Sequence, residues 1–325
     1  MAWPLIKLLP AKTNFRFVAF SKFAAILSVV LVIGSIASVL IPFEGPCGGL
    51  NCGVDFKGGT VLDMNRGGQP IDLGALRDTL NDAEGLHDVQ VQGDGGKNVE
   101  AMIRFETPEG GNPAQKVDEI KTHLSGKFEG AQFTRTEVVG PKVSGELLTG
   151  GVMALFFAIL LMMVYIWFRF EWQFGVGAAL GLLHDVILTF GLFALFNLEF
   201  TLTAVAAILT IIGYSMNDTV VVCDRLRENL RKYKKMPLAD VIDLSLNETL
   251  SRTIMTGITA VGALVGLAVL GGEALFGFSI ALIFGIIVGT YSSIYVAAPV
   301  ILIWGVNRSD ADAEIVDMGG FKGKR

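Results

Sequence analysis

Six long apolar segments determine what this chain can fold into. A transmembrane helix needs about 20 predominantly apolar residues to cross a bilayer, and 52% of this 325-residue chain is hydrophobic. Because lipid offers no water to an open backbone, spanning segments are helices or closed barrels. We therefore predict an α-helical membrane protein. The predicted spans are Phe23–Ile41, Leu147–Phe168, Phe174–Phe196, Phe200–Cys223, Thr253–Gly272 and Ala274–Val306.

The spacing of these segments divides the chain. The first segment follows basic residues, as a secretory signal does, but its apolar core is too long and no small-residue cleavage box follows, which indicates a retained helix. A long polar stretch then precedes the second segment. The predicted parts are an N-terminus 1–22, a helix 23–41, a folded domain 42–146, a five-helix bundle 147–306 with a polar loop 224–252, and a tail 307–325.

Lysine and arginine placement predicts the orientation, because basic residues concentrate in short cytoplasmic loops. The N-terminus, the loops 169–173 and 224–252 and the tail carry basic residues, whereas the short loops around 197–199 and 273 carry none. Both termini are therefore predicted to be cytoplasmic. Residues 42–146 are predicted to lie on the opposite, exported side.

The 42–146 region has the pattern of a small α+β domain. Strand patterns cover 54–64, 87–93, 98–106 and 131–143, and helical patterns cover 71–85 and 113–128. The resulting order β-α-β-β-α-β is typical of a ferredoxin-like fold. Since that fold hosts many unrelated functions, it indicates no particular chemistry.

The cysteines lead to two predictions that stay open. Cys47 and Cys52 lie in PCGGLNC, at the start of the exported region. In an oxidising compartment they could close a small disulfide, or they remain two thiols, since a short loop gains little closure entropy. Cys223 is interpreted as a small apolar filler at a helix end.

Some classes of function lack support. The sequence contains no Gly-x-x-x-x-Gly-Lys-Ser/Thr loop, so nothing predicts ATP hydrolysis by this chain. The net charge of −5 is small, and no basic face with interleaved aromatic residues indicates a nucleic-acid partner. We predict no enzymatic activity, no cofactor and no metal site.

Asp218 is the most informative residue in the apolar segments. It lies within TIIGYSMNDTVVVCDRLREN, residues 210–229. A carboxylate at mid-membrane is costly, so it is expected to face a protein interior or a water-filled path, where desolvation favours the neutral acid. A carboxyl group placed in this way can bind and release protons. The alternative is a hydrogen-bonded Asp that holds helices together, with Asn217 and Thr219.

Other polar residues are candidates for the same site. Arg252 begins the fifth segment and is either a counter-ion to Asp218 or a side chain that reaches the membrane interface. His184 and Asp185 share the third segment and are candidates for a secondary polar relay, together with Asn217. They could equally line a polar groove without transferring a proton.

Glycines at four-residue spacing favour close helix packing. The pairs are Gly177/Gly181, Gly262/Gly266 and Gly285/Gly289. They are typical of a tight bundle, whether or not its helices slide.

Four motifs carry a family resemblance. They are VDFKGGT (54–60), GLLHDVILTFGLFAL (181–195), GYSMNDTVVVCDRLREN (213–229) and NETLSRTIMT (247–256). With these motifs in this order, the chain resembles the SecF members of the bacterial SecD/SecF protein-export family. The layout of one span, an exported domain and five more spans extends the resemblance over nearly the whole chain. It departs at Cys223, where a bulky apolar residue is expected, and in the additional PCGGLNC. Neither departure touches the charged positions.

The resemblance implies more than the composition does. SecF-like proteins pair with SecD in an assembly like the resistance-nodulation-division transporters, beside the SecYEG channel and often with YajC. They use the proton motive force, after the ATP-driven step, to draw a translocating unfolded polypeptide outward. The family's proton-transport Asp and Arg correspond to Asp218 and Arg252, and a partner Asp is expected on SecD.

Two other readings compete with this one. A passive scaffold would stabilise the channel and use Asp218 as a structural hydrogen-bonding group. An intramembrane aspartyl protease would pair Asp185 with Asp218, since they lie on consecutive spans. However, Asp218 follows YSMN rather than Gly-x-Gly, and no tyrosine precedes Asp185.

Overall fold

The computed structural model describes residues 13–41, 47–81, 86–93, 98–106, 113–271 and 273–305, which form two compact units. The last residues of the predicted helix 71–85 and the predicted tail 307–325 lie outside the described residues. The helices are α1 (Phe17–Leu40), α2 (Val54–Lys57), α3 (Leu73–Asn81), α4 (Pro113–Lys127), α5 (Pro141–Arg169), α6 (Trp172–Leu195), α7 (Leu202–Lys232), α8 (Leu238–Leu270), α9 (Glu273–Ser292) and α10 (Ala298–Trp304). A π-helical turn, Ser293–Ala297, joins α9 to α10. The strands are β1 (Asn51–Cys52), β2 (Gly59–Asn65), β3 (His87–Gly93), β4 (Glu100–Glu106), β5 (Gln132–Val139) and β6 (Glu199–Phe200).

Six helical segments are long and apolar enough to cross a membrane, counted over the described residues. They are Phe17–Leu40, Lys142–Arg169, Trp172–Leu195, Leu202–Lys232, Leu238–Leu270 and Leu275–Trp304. Each contains most of one predicted span, so the prediction of a multi-pass helical membrane protein is confirmed.

One unit contains a four-stranded antiparallel sheet in the order β3-β4-β2-β5. β2 lies in the middle, where Leu62 pairs with Ile103 of β4 and with Thr136 of β5. Its elements follow one another as β2-α3-β3-β4-α4-β5, which is the predicted order. Apolar residues of α3 and α4 are buried on this sheet, because helical spacing puts them on one face. They include Leu76, Leu80, Val117, Ile120 and Leu124.

The strand prediction for 54–64 is wrong over its first residues. Val54–Lys57 is a single helical turn, and the strand begins at Gly59. The cause is the glycine pair, because Gly58 and Gly59 have φ angles of 78° and 112°, which turn the chain before the strand starts. Asp55 in the helical turn accepts a 2.9 Å hydrogen bond from the backbone N–H of Leu202.

In the helical unit, α6 and α7 are the buried helices. In the most apolar 18-residue stretch of each helix, the buried share of residues is 61% for α6 and 56% for α7. It is only 6% for α5 and 11% for α1 and for α8. α6 contacts α1, α9, α10 and the π-helical turn. His184 and Asp185 of α6 and Asp218 of α7 lie in the interior of this bundle.

α8 begins well before its predicted span. The prediction placed the span at Thr253–Gly272, but the helix starts at Leu238. The added turns are polar on one side and bury Val241 and Leu246 on the other, so hydropathy alone does not include them. This part of α8 binds the end of α7, since Asn229 donates a 3.0 Å hydrogen bond to Ser245.

The same part of α8 also holds the start of α1. Asn247 accepts a 2.9 Å hydrogen bond from the Phe15 N–H and donates one of 2.8 Å to the Phe15 carbonyl. Asp243 accepts a 2.9 Å hydrogen bond from the Val18 N–H. Because α1 has no side-chain cap of its own, Asp243 of α8 supplies one.

Candidate functional site within the helical bundle

Asp218 lies in the buried face of α7. Its residue is 3% exposed, and its Oδ2 atom has no hydrogen-bond partner among the described residues. The neighbouring Thr219 is also buried and its hydroxyl lies 2.8 Å from that of Ser293. A buried carboxyl oxygen without a donor is unusual. It marks Asp218 as a group that the fold does not satisfy.

Arg252 lies on the exposed side of α8. Its guanidinium is near enough to attract the Asp218 carboxylate electrostatically. The ion pairs described on α7 involve other residues, since Asp224 binds Arg169 at 2.7 Å and Arg225 binds Glu248 at 2.8 Å. The predicted pairing of Asp218 with Arg252 stays a prediction.

Asp185 is the centre of a hydrogen-bonded cluster. It is completely buried on α6, and its Oδ1 lies 2.9 Å from Nδ1 of His184. Its Oδ2 accepts hydrogen bonds of 2.5 Å from Ser215 of α7 and 2.7 Å from Ser292 of α9. The structure thus joins three helices at one carboxyl group, which we call the Asp185 cluster (His184, Asp185, Ser215, Ser292).

His184 connects this cluster to α9. Its ring stacks on Tyr291, with centroids 6.0 Å apart, and its Nε2 has no hydrogen-bond partner among the described residues. The Tyr291 hydroxyl donates a 2.8 Å hydrogen bond to the Ala24 carbonyl and lies 3.0 Å from the Ser28 hydroxyl of α1. Four helices are therefore joined through polar contacts in the membrane interior.

Asn217 lies outside the cluster. It is exposed on α7 and continues a line of small and polar residues spaced three or four apart. The line consists of Thr203, Ala206, Thr210, Gly213 and Asn217. A similar exposed line on α8 consists of Arg252, Thr256, Thr259, Ala263 and Gly266. We call these two lines the small-polar stripes.

The glycine pairs are in different surroundings. A Cβ on Gly285 would lie 2.4 Å from Ile211, and one on Gly289 would lie 3.0 Å from Ser215, so this pair sets the distance between α9 and α7. A Cβ on Gly177 would lie 2.7 Å from the Ala297 carbonyl oxygen. Around Gly262 and Gly266 nothing described lies within 4 Å of such a Cβ.

In the structure Cys47 and Cys52 are disulfide-bonded, and Cys223 is free and buried at the end of the apolar part of α7. The disulfide lies outside the helical site. Cys223 is 2% exposed, in agreement with its interpretation as an apolar filler.

Comparison with known proteins identifies the family. Residues 119–307, which contain every candidate residue of the helical bundle, match the family model described as "Protein export membrane protein SecD/SecF, C-terminal". The chain is 46% identical over 317 residues to the protein translocase subunit SecF of Rhodobacter capsulatus, covering 94% of this chain and 93% of that protein. It is 41% identical over 301 residues to SecF of Rickettsia bellii, covering 92% and 96% respectively.

The chain belongs to the SecD/SecF family of protein-export membrane proteins.

Solved structures of the SecD/SecF family support the fold. A crystal structure of SecDF from Thermus thermophilus, a translocon-associated membrane protein, superimposes with a TM-score of 0.80 at 31% identity and covers 91% of this chain. A crystal structure of SecDF in a super-membrane-facing form gives a TM-score of 0.63 at 30% identity, with 98% covered. This chain spans only 39% and 42% of those two SecDF chains.

The sequence analysis of this SecD/SecF chain missed the hydroxyl groups of the site. Ser215, Ser292 and Ser293 are buried, yet hydropathy counts them as tolerated interruptions of an apolar run. One signal was present in the sequence, because adjacent serines in a membrane segment are each able to bond a polar group on another helix. Which helix they reach could not be read from the sequence.

Proposed function

We propose that this chain is the SecF subunit of a bacterial protein translocase, which acts with SecD beside the SecYEG channel and YajC. It draws an unfolded polypeptide across the inner membrane in the late, ATP-independent part of export, at the expense of the proton motive force. Both termini lie in the cytoplasm. The β2-α3-β3-β4-α4-β5 domain is ferredoxin-like and lies in the periplasm.

The observation that carries this proposal is the unsatisfied Asp218 carboxyl oxygen in a buried face of a membrane-crossing helix. A carboxyl oxygen that no donor among the described residues stabilises is able to take up and release a proton. An ionisable side chain within a membrane is costly and by default marks an ion or proton path. In this proposal Asp218 binds the proton and Arg252 is its counter-ion.

The proton changes the attraction between α7 and α8. When Asp218 is ionised, the Arg252 guanidinium attracts it; when Asp218 is neutral, that attraction is lost. One charge crossing a 100 mV potential releases about 2.3 kcal/mol, which changes a two-state population about 40-fold. Alternation between two helix arrangements then moves the exported domain.

The small-polar stripes support a helical partner. Residues that face lipid are normally apolar, whereas small and polar residues let helices approach closely or line a hydrated path. Thr210 and Asn217 on α7, with Arg252 and Thr256 on α8, are exposed in this chain. The matched SecDF chains extend far beyond the part that this chain covers, and we assign the covering helices to SecD.

The strand order supports the assignment of the exported domain. In the sheet β3 is first, β4 second, β2 third and β5 fourth, and each neighbouring pair is antiparallel. This is the arrangement that two consecutive β-α-β units produce when they pack side by side. The tight disulfide of Cys47 and Cys52 fits an oxidising compartment such as the periplasm.

The test uses vesicles that contain this chain, SecD and the translocon. Asp218→Asn keeps the size of the side chain and removes its proton-binding oxygen, and we expect it to abolish both proton flux and the gradient-dependent part of export. Asp224→Asn is the matched control, because Asp224 is an exposed carboxylate of the same helix that already binds Arg169. It should leave both activities near the wild-type level.

Other outcomes identify the competing functions. If Asp218→Asn retains flux and gradient-dependent export, the proton-relay role is wrong. If the contribution of the chain to export is insensitive to uncouplers, it is a passive scaffold. Cleavage of a membrane substrate would indicate the protease, although the oxygens of Asp185 are already occupied by hydrogen bonds within the chain.

A further inference from the structure

The Asp185 cluster differs from Asp218 in how its carboxyl group is satisfied. Three side chains contact the two oxygens of Asp185, at 2.9 Å, 2.5 Å and 2.7 Å. The oxygen Oδ2 of Asp218 has no partner among the described residues. Hydrogen bonds from hydroxyl groups to a carboxylate are strong and geometrically specific. Asp185 therefore has the contacts of a fixed acceptor.

The two serines of the cluster connect α6 to α7 and to α9. Ser215 precedes Asp218 by three residues on α7, so the two side chains share a helix face. Ser292 is the last residue of α9, and the π-helical turn starts at Ser293. The Ser293 hydroxyl lies 2.8 Å from Thr219, the residue after Asp218. Asp218 therefore lies on α7 between Ser215, which bonds Asp185, and Thr219, which contacts the first residue of the π-helical turn.

Packing leaves little room for another register. A Cβ on Gly289 would lie 3.0 Å from Cβ and 3.3 Å from Cα of Ser215, so α9 touches the backbone of α7 at this point. The single Ser292 hydroxyl proton is shared between Asp185 Oδ2 at 2.7 Å and the Gly289 carbonyl at 3.1 Å. π-Helical turns are rare and are frequent at functional sites.

We propose that Asp185 is a positioning residue, which through Ser215 and Ser292 fixes α7 against the π-helical turn and so sets where the Asp218 carboxyl lies. Asp185 itself carries no transported proton. This inference rests on the proposed role of Asp218, because the consequence of misplacing α7 is read at that residue. The sequence suggested that His184 and Asp185 form a secondary relay. The proposal instead gives Asp185 a positioning role.

The experiment compares variants in vesicles with SecD and the translocon. Ser215→Ala combined with Ser292→Ala removes both hydroxyl donors to Oδ2 and leaves both carboxyl groups in place. Ser279→Ala is the matched control, because Ser279 is a buried serine of α9 whose hydroxyl bonds its own helix, at the Leu275 carbonyl. Ser215→Thr, which keeps a hydroxyl, tests rescue.

The first readout is proton flux as a function of pH. We expect the double serine variant to lose flux by about tenfold, the equivalent of about 1.4 kcal/mol, and to shift the pH of half-maximal flux. Ser279→Ala should do neither, and Ser215→Thr, as a single variant, should retain most of the flux. Unchanged flux and an unchanged pH profile in the double variant would overturn the proposal.

The second readout separates positioning from proton transport. A hydrophobic carbodiimide modifies protonated carboxyl groups in apolar surroundings, and we expect it to label Asp218 and not Asp185. If Asp185 is labelled, and reversing the proton gradient suppresses that labelling, then Asp185 is a relay residue and the proposal is wrong.

The third readout does not depend on Asp218 chemistry. In the purified chain without SecD, spin labels attached to Asn217→Cys on α7 and Ile287→Cys on α9, both exposed positions in this chain, report the distance between the helices. In the double serine variant we expect a broader distance distribution than with Ser279→Ala. If the distribution broadens while Asp218→Asn leaves flux intact, the proposed function fails and the positioning of α7 stands; an unchanged distribution overturns the positioning itself.

Discussion

Replacing Gly177 by alanine tests the closest approach between α6 and the π-helical turn. The new Cβ would lie 2.7 Å from the Ala297 carbonyl oxygen and 3.5 Å from Cγ1 of Ile301. The nearest atom belongs to the backbone, which cannot rotate away as a flexible side chain does. α6 and the segment 293–304 must therefore separate to accommodate one methyl group.

The expected cost follows from two opposing effects. Overpacking a well-packed interior costs about 1–3 kcal/mol, whereas a Gly to Ala change in a helix interior gains about 0.5–1 kcal/mol. We expect Gly177→Ala to lower the free energy of unfolding by about 1–2 kcal/mol. Gly266→Ala is the control, because nothing described lies within 4 Å of its Cβ, so the gain should appear without the cost.

The assay is thermal unfolding of the purified chain in one detergent, followed by near-ultraviolet circular dichroism. At roughly 2–4 °C per kcal/mol for a unit of 150–250 residues, Gly177→Ala should unfold several degrees below the wild type. Gly266→Ala should unfold at or slightly above the wild-type temperature. Equal stability of the two variants would refute the close backbone contact at Ala297.

Three further changes test other contacts. Asn247→Ala removes two hydrogen bonds to the backbone of Phe15, at about 1 kcal/mol each, and should speed hydrogen exchange at the start of α1; unaltered exchange would contradict this contact. Burial raises the pKa of Asp63 in the sheet domain, so its folded state binds the proton more tightly and the domain loses stability as pH rises from the unfolded pKa through the folded one. Asp63→Asn should remove that loss, measured as slower exchange of β2 amides at neutral pH, and it would argue against the raised pKa if the wild-type pH dependence persisted. Cys52→Ser should leave a thiol that an alkylating reagent labels without reduction, whereas the native pair should resist labelling.

Sequence patterns predicted the six membrane spans because hydropathy over about 20 residues is a strong signal. Glycine-bounded alternation likewise predicted the order of strands and helices in the exported region. Errors arose where the signal was weak or shared. The Gly58-Gly59 pair was interpreted as the interior of a strand, although its positive φ angles separate a helical turn from the strand. The polar start of α8 was left out of its helix because one apolar face is too little to mark a span.

Ionisable residues in the spans were predictable as a set, since any charge in lipid is conspicuous, but their roles were not. Asp185 and Asp218 are both carboxylates on consecutive spans, and the sequence shows the hydrogen-bond partners of neither. Tertiary contacts distinguish them, because α7 and α9 bring the hydroxyls of Ser215 and Ser292 to Asp185. In the described part of the chain Asp218 Oδ2 has no hydrogen-bond partner.

The sequence by itself determined that the chain crosses a membrane and that a few costly polar groups lie within it, since both follow from composition along single helices. Only the tertiary structure decided which of those groups accepts hydrogen bonds from other helices and which has a carboxyl oxygen without a partner among the described residues. The physical reason is that a hydrogen bond between helices depends on their relative rotation and register, which is set by how glycine and side-chain surfaces on different segments pack together.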